Sequence, residues 1–343
     1  MTFGLTTFGY DAPMYNGFTP QELQLVQALG IMPQDYDPGH IDWLDDDRDP
    51  APDPRKNDFH GTSVGGVAAA RGDNEIGVTG VAPLATLIGH RFLGEDILLD
   101  DAQVADIVSR GYRRIDIKNN SWGYANSYAG LADVGPLHQG AMKATALNGR
   151  AGRGGISVWA AGNGREAYFQ GNKNGLANDM HGIAVGAVTN QGRLSPYSET
   201  GNHLAVVAPS NGGTQGIVTT DLTGTDGYNP DPKIPDLEDD HFSYTQTFGG
   251  TSSAAPVVSG VIALMLEANP ALSWRDVKEI FLRSSRQINP KSSSWVKRTT
   301  RDRPDLPPIK HSPLYGGGLI QAGAAVEMAR TWTPLGPQIF AEK

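Results

Sequence analysis

The sequence predicts an α/β protein built on a mainly parallel sheet with helices on both faces. From Phe59 onward, short apolar runs at 86–92, 115–119, 156–161, 183–188 and 204–208 alternate with helical patterns. That order belongs to a parallel sheet whose crossovers are helices. Hydrophobic residues make up 39% of the 343-residue chain, enough for a sizeable core. Glycine (43) and proline (23) are abundant, as many tight turns and long ordered loops require. Neither repeats nor a second core are visible, so one domain is expected.

Taken in order, residues 2–10 read as a short strand. Residues 20–30 read as a helix, with Leu23, Val26 and Leu29 on one face and Gly30 as its stop. Residues 35–54 form an acidic, proline-rich stretch, where helix-breaking prolines and self-bonding aspartates predict a loop. Residues 61–70 are nearly all small and predict a tightly packed helix. The strand at 86–92 precedes a helix at 101–110 with an acidic start, and the strand at 115–119 precedes a helix at 141–148. The strand at 156–161 ends in Gly-Asn-Gly, and the helices at 252–268 and 273–285 each open on serine. Residues 224–241 read as an acidic surface insertion. In a sheet of this kind the active site lies at the carboxyl ends of the strands.

Composition narrows the chemistry. The net charge of −9 comes from 28 basic and 37 acidic side chains, a surface that repels phosphate backbones and argues against nucleic acid as a partner. Acidic loops instead favour hard cations, calcium above all. The absence of cysteine excludes disulfides, cysteine-held zinc or iron, and a thiol nucleophile. No apolar run reaches the roughly 18 residues of a membrane span. Residues 1–30 show no basic start followed by an apolar stretch, so no secretory signal is visible.

Three segments carry candidate chemistry. In GGTSSAAP (249–256), glycines bring the backbone in close and Ser252 opens a helix, with Pro256 expected in its first turn. A serine there is ordinarily only a cap. The run Gly-Thr-Ser-x-Ala-x-Pro is far more specific, and the helix start sets free N–H groups beside the hydroxyl. A serine hydroxyl needs a base to take its proton. Among eight histidines, His60 begins the helix of small residues in the context HGTxxxGxxA. The run VWAAGNG (158–164) ends an apolar strand at Asn163. A strand-to-loop turn is the plain reading, and an amide donor for a substrate carbonyl is the functional one.

In this order (His, Asn, Ser) the segments resemble the subtilases, the subtilisin-like serine proteases of peptidase family S8, and more closely their kexin and furin branch, the proprotein convertases. The resemblance runs from about Asp35 to Pro337 and includes DYDPG, DDDRDPAPDP, IGVTGVAP, NNSWG, PYSE, IVTTDL, LEANPALSWRDVK and YGGGLIQAGAAVEMAR. It implies a subtilisin-like three-layer fold, a catalytic domain over 36–337 after an atypical segment 1–35, and a tail at 338–343. It further implies His60 as general base, Ser252 as acyl-forming nucleophile and Asn163 as oxyanion donor. Ser121, Trp122 and Gly123 match the segment that pairs with substrate as an added strand. The implied partner is a protein or peptide substrate, the implied state a monomer and the implied place secreted or periplasmic. A propeptide and a P domain are the family parts not recognisable here.

The chain departs from the family in two places. The family's catalytic aspartate ends a strand as Asp-Asp-Gly or Asp-Ser/Thr-Gly, and no such triplet precedes His60. Asp11 is the best positional substitute, whereas Asp35, Asp37 and Asp42 fit the acidic loop. A truncated or misread gene, a displaced acid and a natural pseudoenzyme all remain open, and the intact Ser252, His60 and Asn163 favour the first. Convertases also select arginine with acids in the primary pocket, whereas Asn126 and Asn174 align with those positions. This predicts weakened preference for basic residues. By resemblance, Asp47, Asp49 and Asp53 in the acidic loop, Asn74 in the 71–78 loop and Glu199 in PYSE are candidate calcium ligands.

Overall fold

A computed structural model of the chain describes residues 2–6 (backbone only), 40–46, 49–53, 55, 58–94, 99–123, 134–228, 243–299, 306–336 and 338. The strands β1 (Thr2–Thr6), β2 (Ile41–Asp42), β3 (Thr86–Arg91), β4 (Ile117–Asn120), β5 (Ile156–Ala160), β6 (Gly182–Val188) and β7 (Leu204–Pro209) form one sheet in the order β2-β3-β1-β4-β5-β6-β7. β2 and β3 pair parallel, as do β4 through β7. β1 lies between β3 and β4 and runs against both, with Thr2 opposite His90 and Asn120. The sheet is therefore mainly parallel, with one reversed strand near its centre.

Helices cover both faces. They are α1 (His60–Ala69), α2 (Asp101–Ser109), α3 (Pro136–Gly152), α4 (Gly250–Ala268), α5 (Trp274–Ser284) and α6 (Ala322–Arg330). β5 shows how one strand serves two layers, because successive side chains point to opposite faces. Ile156, Val158 and Ala160 join Val258, Val261, Ile262 and Met265 of α4 in the larger core. Trp159 meets Val104 and Val108 of α2 and Met142 of α3 on the other side. α4 is the one described helix long and apolar enough to cross a membrane by length and composition, and 72% of its apolar window is buried. It is a core helix in this structure.

Most expected elements are present, with shifted ends. α3 begins at Pro136, and its regular turns stop at Asn148 because Gly149, Arg150 and Ala151 leave helical angles. α5 is capped by Ser273, whose hydroxyl accepts from Asp276 N while the Asp276 carboxylate accepts from Ser273 N. Two expectations need correction. The 35–54 stretch is not all loop, for Ile41 and Asp42 pair with His90 and Arg91 at the sheet edge. Pro256 is not in the first turn, because α4 starts at Gly250 and the proline lies inside it. Among the described residues, two antiparallel pairs were not anticipated, β8 (Ile217–Thr220) with β9 (Tyr244–Phe248), and β10 (Val296–Arg298) with β11 (Ile309–His311). The expected helix at 20–30 and residues 229–241 of the acidic insertion fall outside the described residues.

Candidate active site

The carboxyl ends of β4 and β5 deliver Ser121–Gly123 and Asn163 to one rim of the sheet, and the start of α4 brings Ser252 to the same place. Gly250 has φ +73°, and a Cβ there would lie 3.1 Å from Asn163 Nδ2. Glycine is thus needed both for the turn and for the close approach. Thr251 then holds the amide: its N–H donates to Asn163 Oδ1 at 2.8 Å and its hydroxyl at 2.9 Å. Those two bonds assign the orientation of the amide and leave Nδ2, on an exposed side chain, without a partner among the described residues.

Glu199 brackets Asn163 from the far side. Its N–H donates to Gly162 O at 3.0 Å, and its carboxylate accepts from Gly164 N at 3.1 Å. Gly162 has φ +111°, and a Cβ there would come within 2.4 Å of Glu199 Oε1. Burial raises the Glu199 carboxyl above its ordinary value against the lowering effect of the Gly164 N–H. Its Oε2 is buried without a partner among the described residues.

The half-buried Ser252 carries a hydroxyl that donates to Ser121 O at 3.4 Å, and the Ser121 hydroxyl donates to Ser252 O at 2.9 Å. His60 opens α1 with its ring edge-on to Phe248, centroids 5.7 Å apart, four residues before Ser252. α1 is seated by the β8–β9 hairpin, whose Thr219 and Thr220 hydroxyls donate to Ser63 O and Thr62 O. The small residues of α1 allow this, since a Cβ on Gly66 would lie 2.1 Å from Thr220 Oγ1. His60 makes no hydrogen bond to Ser252 or to any carboxylate among the described residues. Burial pushes its imidazole down to about 3, so it is neutral at neutral pH.

The strand slot between β3 and β4 is filled by β1 running in reverse, with the sequence Thr-Phe-Gly-Leu-Thr, which has no acid. Asp11, Asp35 and Asp37 lie outside the described residues. Asp42 faces elsewhere: buried on β2, it pairs with Arg91 of β3, as do Asp45 and Asp58. Burial works against the Arg91 charge, and the hydrogen bonds that its N–H groups donate to Asp58, Asp42 and Asp45 more than offset it, so the guanidinium is held above its ordinary value. This cluster, which sequence reasoning missed, ties the segment leading into His60 to the sheet.

Asp49 accepts from Ala51 N, Asp53 binds Arg55, and Asn74 accepts from Ile76 N. Asp47 and Asn126 fall outside the described residues. Among the described residues, no three His, Cys, Asp or Glu side chains gather at metal-binding distance. Asn174 is buried, and its Oδ1 accepts from Leu176 N and Ala177 N. A Cβ on Gly123 would lie 3.5 Å from its Nδ2. Trp122 donates to Asn120 Oδ1 and packs on Phe92 and Trp159.

A hydroxyl at a helix start, an imidazole on the neighbouring helix and a fixed amide at a strand end define a class, and the family model described as Peptidase S8, Subtilase family, matches residues 16–307. The chain belongs to that family. It is 35% identical over 308 residues to Proprotein convertase subtilisin/kexin type 4 of Homo sapiens, covering 88% of this chain and 37% of that protein. It is 36% identical over 303 residues to the Calcium-dependent protease of Trichormus variabilis, covering 84% and 43%. A solved serine protease of Aeromonas sobria, in complex with a chaperone, superposes with a TM-score of 0.74 at 26% identity over 88% of this chain and 57% of that one. The chain spans about two-fifths of the length of these curated relatives.

Proposed function

We propose that the protein is a serine endopeptidase acting on extended peptide segments of proteins, with Ser252 as nucleophile, His60 as general base and Asn163 as oxyanion donor. The observation that carries this reading is the doubly held amide of Asn163, whose free Nδ2 faces the start of the helix bearing Ser252. The Ser252 hydroxyl leaves Ser121 O and gives its proton to neutral His60 as Oγ attacks the peptide carbonyl carbon. Negative charge on the carbonyl oxygen meets Asn163 Nδ2. His60 returns the proton to the departing amine, and water then hydrolyses the acyl-enzyme. Backbone groups of Ser121, Trp122 and Gly123 hold the substrate as an added strand.

The absence of a carboxylate on His60 among the described residues favours a second reading, a domain that binds such peptides without turnover. Labelling with a fluorophosphonate separates the two: wild type is modified at Ser252 and S252A is not. A folded wild type that takes no label removes the protease reading. For specificity, Asn174 offers its Nδ2 toward Gly123 because backbone N–H groups occupy its oxygen, so cleavage without strict preference for arginine is expected. Calcium is proposed as a stabilising ion on the strength of the family. A melting temperature unchanged by chelator sets that aside, and no step above runs through a metal. The proposed location is extracytoplasmic.

A further inference from the structure

Pro256 has no N–H, so the Ser252 carbonyl, four residues earlier in α4, lacks the donor that a regular helix supplies, and the proline ring crowds the same carbonyl. The buried Ser121 hydroxyl stands in for it at 2.9 Å. That hydroxyl is itself fixed: Asn119 Nδ2 donates to Ser121 Oγ at 2.9 Å, and Ser259 Oγ donates to Asn119 Oδ1 at 2.9 Å. Asn119 and Ser259 are both fully buried. A closed circuit therefore runs from one point of α4 through the end of β4 and back to α4 two turns later.

We propose that Ser121 is a positioning residue for the nucleophile, its side chain replacing the helical N–H that Pro256 removes and so fixing the peptide from which the Ser252 hydroxyl projects. This rests on the reading of Ser252 as nucleophile. The role is distinct from substrate pairing, which uses the backbone of 121–123 and does not need the hydroxyl.

The test is a double-mutant cycle on a fluorogenic peptide. S121A leaves a buried carbonyl without a donor, a loss in the range that lowers kcat about tenfold, with KM within about twofold. In a P256A background the new N–H serves the Ser252 carbonyl, and S121A then costs less than about threefold. Equal losses in both backgrounds, or a loss seen in KM instead of kcat, overturn the proposal. Should S121A fail to fold by circular dichroism, S259A, which releases Asn119, is expected to give a smaller kcat-only loss that P256A also suppresses. A wild type that takes no fluorophosphonate label removes this inference together with the protease reading. A labelled wild type with S121A unchanged removes this inference alone.

Discussion

The imidazole of His60 and the amide of Asn163 are held by opposite means. Asn163 is fixed by Thr251 and bracketed by Glu199, whereas His60 is fixed by the packing of α1 and the Phe248 ring. With no carboxylate on its ring among the described residues, His60 keeps its burial-depressed value of about 3. Protonation disables a general base, so activity should hold as pH falls and decline only as the pH approaches that value. In a pH profile of kcat/KM, the acidic limb is expected well below the roughly 6.5 of a free imidazole. A limb at 6.5 or higher would show that a carboxylate outside the described residues reaches the ring and raises it. The candidate residues themselves were legible, since GTSSAAP, HGTS and GNG are local strings. The Glu199 bracket and the Ser121 hydroxyl were not, because each joins residues far apart in sequence and neither residue is unusual by itself.

The strands buried on both faces were equally legible, because their apolar runs are what such burial demands. β2 was not: two residues long, it is anchored by Asp42 on Arg91, so its burial looks like polarity in the sequence. The β8–β9 hairpin escaped for a similar reason, since its threonines act as hydrogen-bond donors to α1. β1 was read as a strand, but its place between β3 and β4 and its reversed direction are things a five-residue pattern does not encode. The Arg91 cluster gives β2 a measurable role. R91M strands Asp42 and Asp58, whose side chains are 1% and 8% exposed, without their cation. Breaking such a buried pair typically removes about 3–5 kcal/mol of stability. Asp45, with a side chain 50% exposed, is screened and adds little. Urea unfolding of R91M should show that loss, and D42N in the R91M background should recover part of it. A midpoint equal to wild type would mean that water reaches these carboxylates and the cluster does not hold β2.

Across the molecule, the histidines and lysines whose values burial moves share a sign. Burial is the leading cause at His60 (about 3), His203 (about 4), His90, His138 and His311, all below the ordinary imidazole value. It likewise lowers Lys118 to about 7 and Lys278 to about 8. For each, the folded value lies below the unfolded one, so the unfolded chain binds more protons between the two. The stability such a group contributes is present above its unfolded value and is lost as pH falls through its folded value. The histidines place that loss between about pH 6.5 and pH 3, and the lysines extend the upward slope to the alkaline side. Glu199 acts the other way, its raised carboxyl favouring the folded state below its unfolded value, but between pH 4 and pH 8 it is one group against these seven. Stability should therefore climb from pH 4 to pH 8, read as the urea midpoint at fixed ionic strength. The climb should flatten below pH 6.5 when His90 and His203 are replaced together by leucine and glutamine, respectively. A midpoint that peaks below pH 6 in the wild type would mean that these rings are hydrated in the folded protein, and the burial on which the argument stands would be wrong.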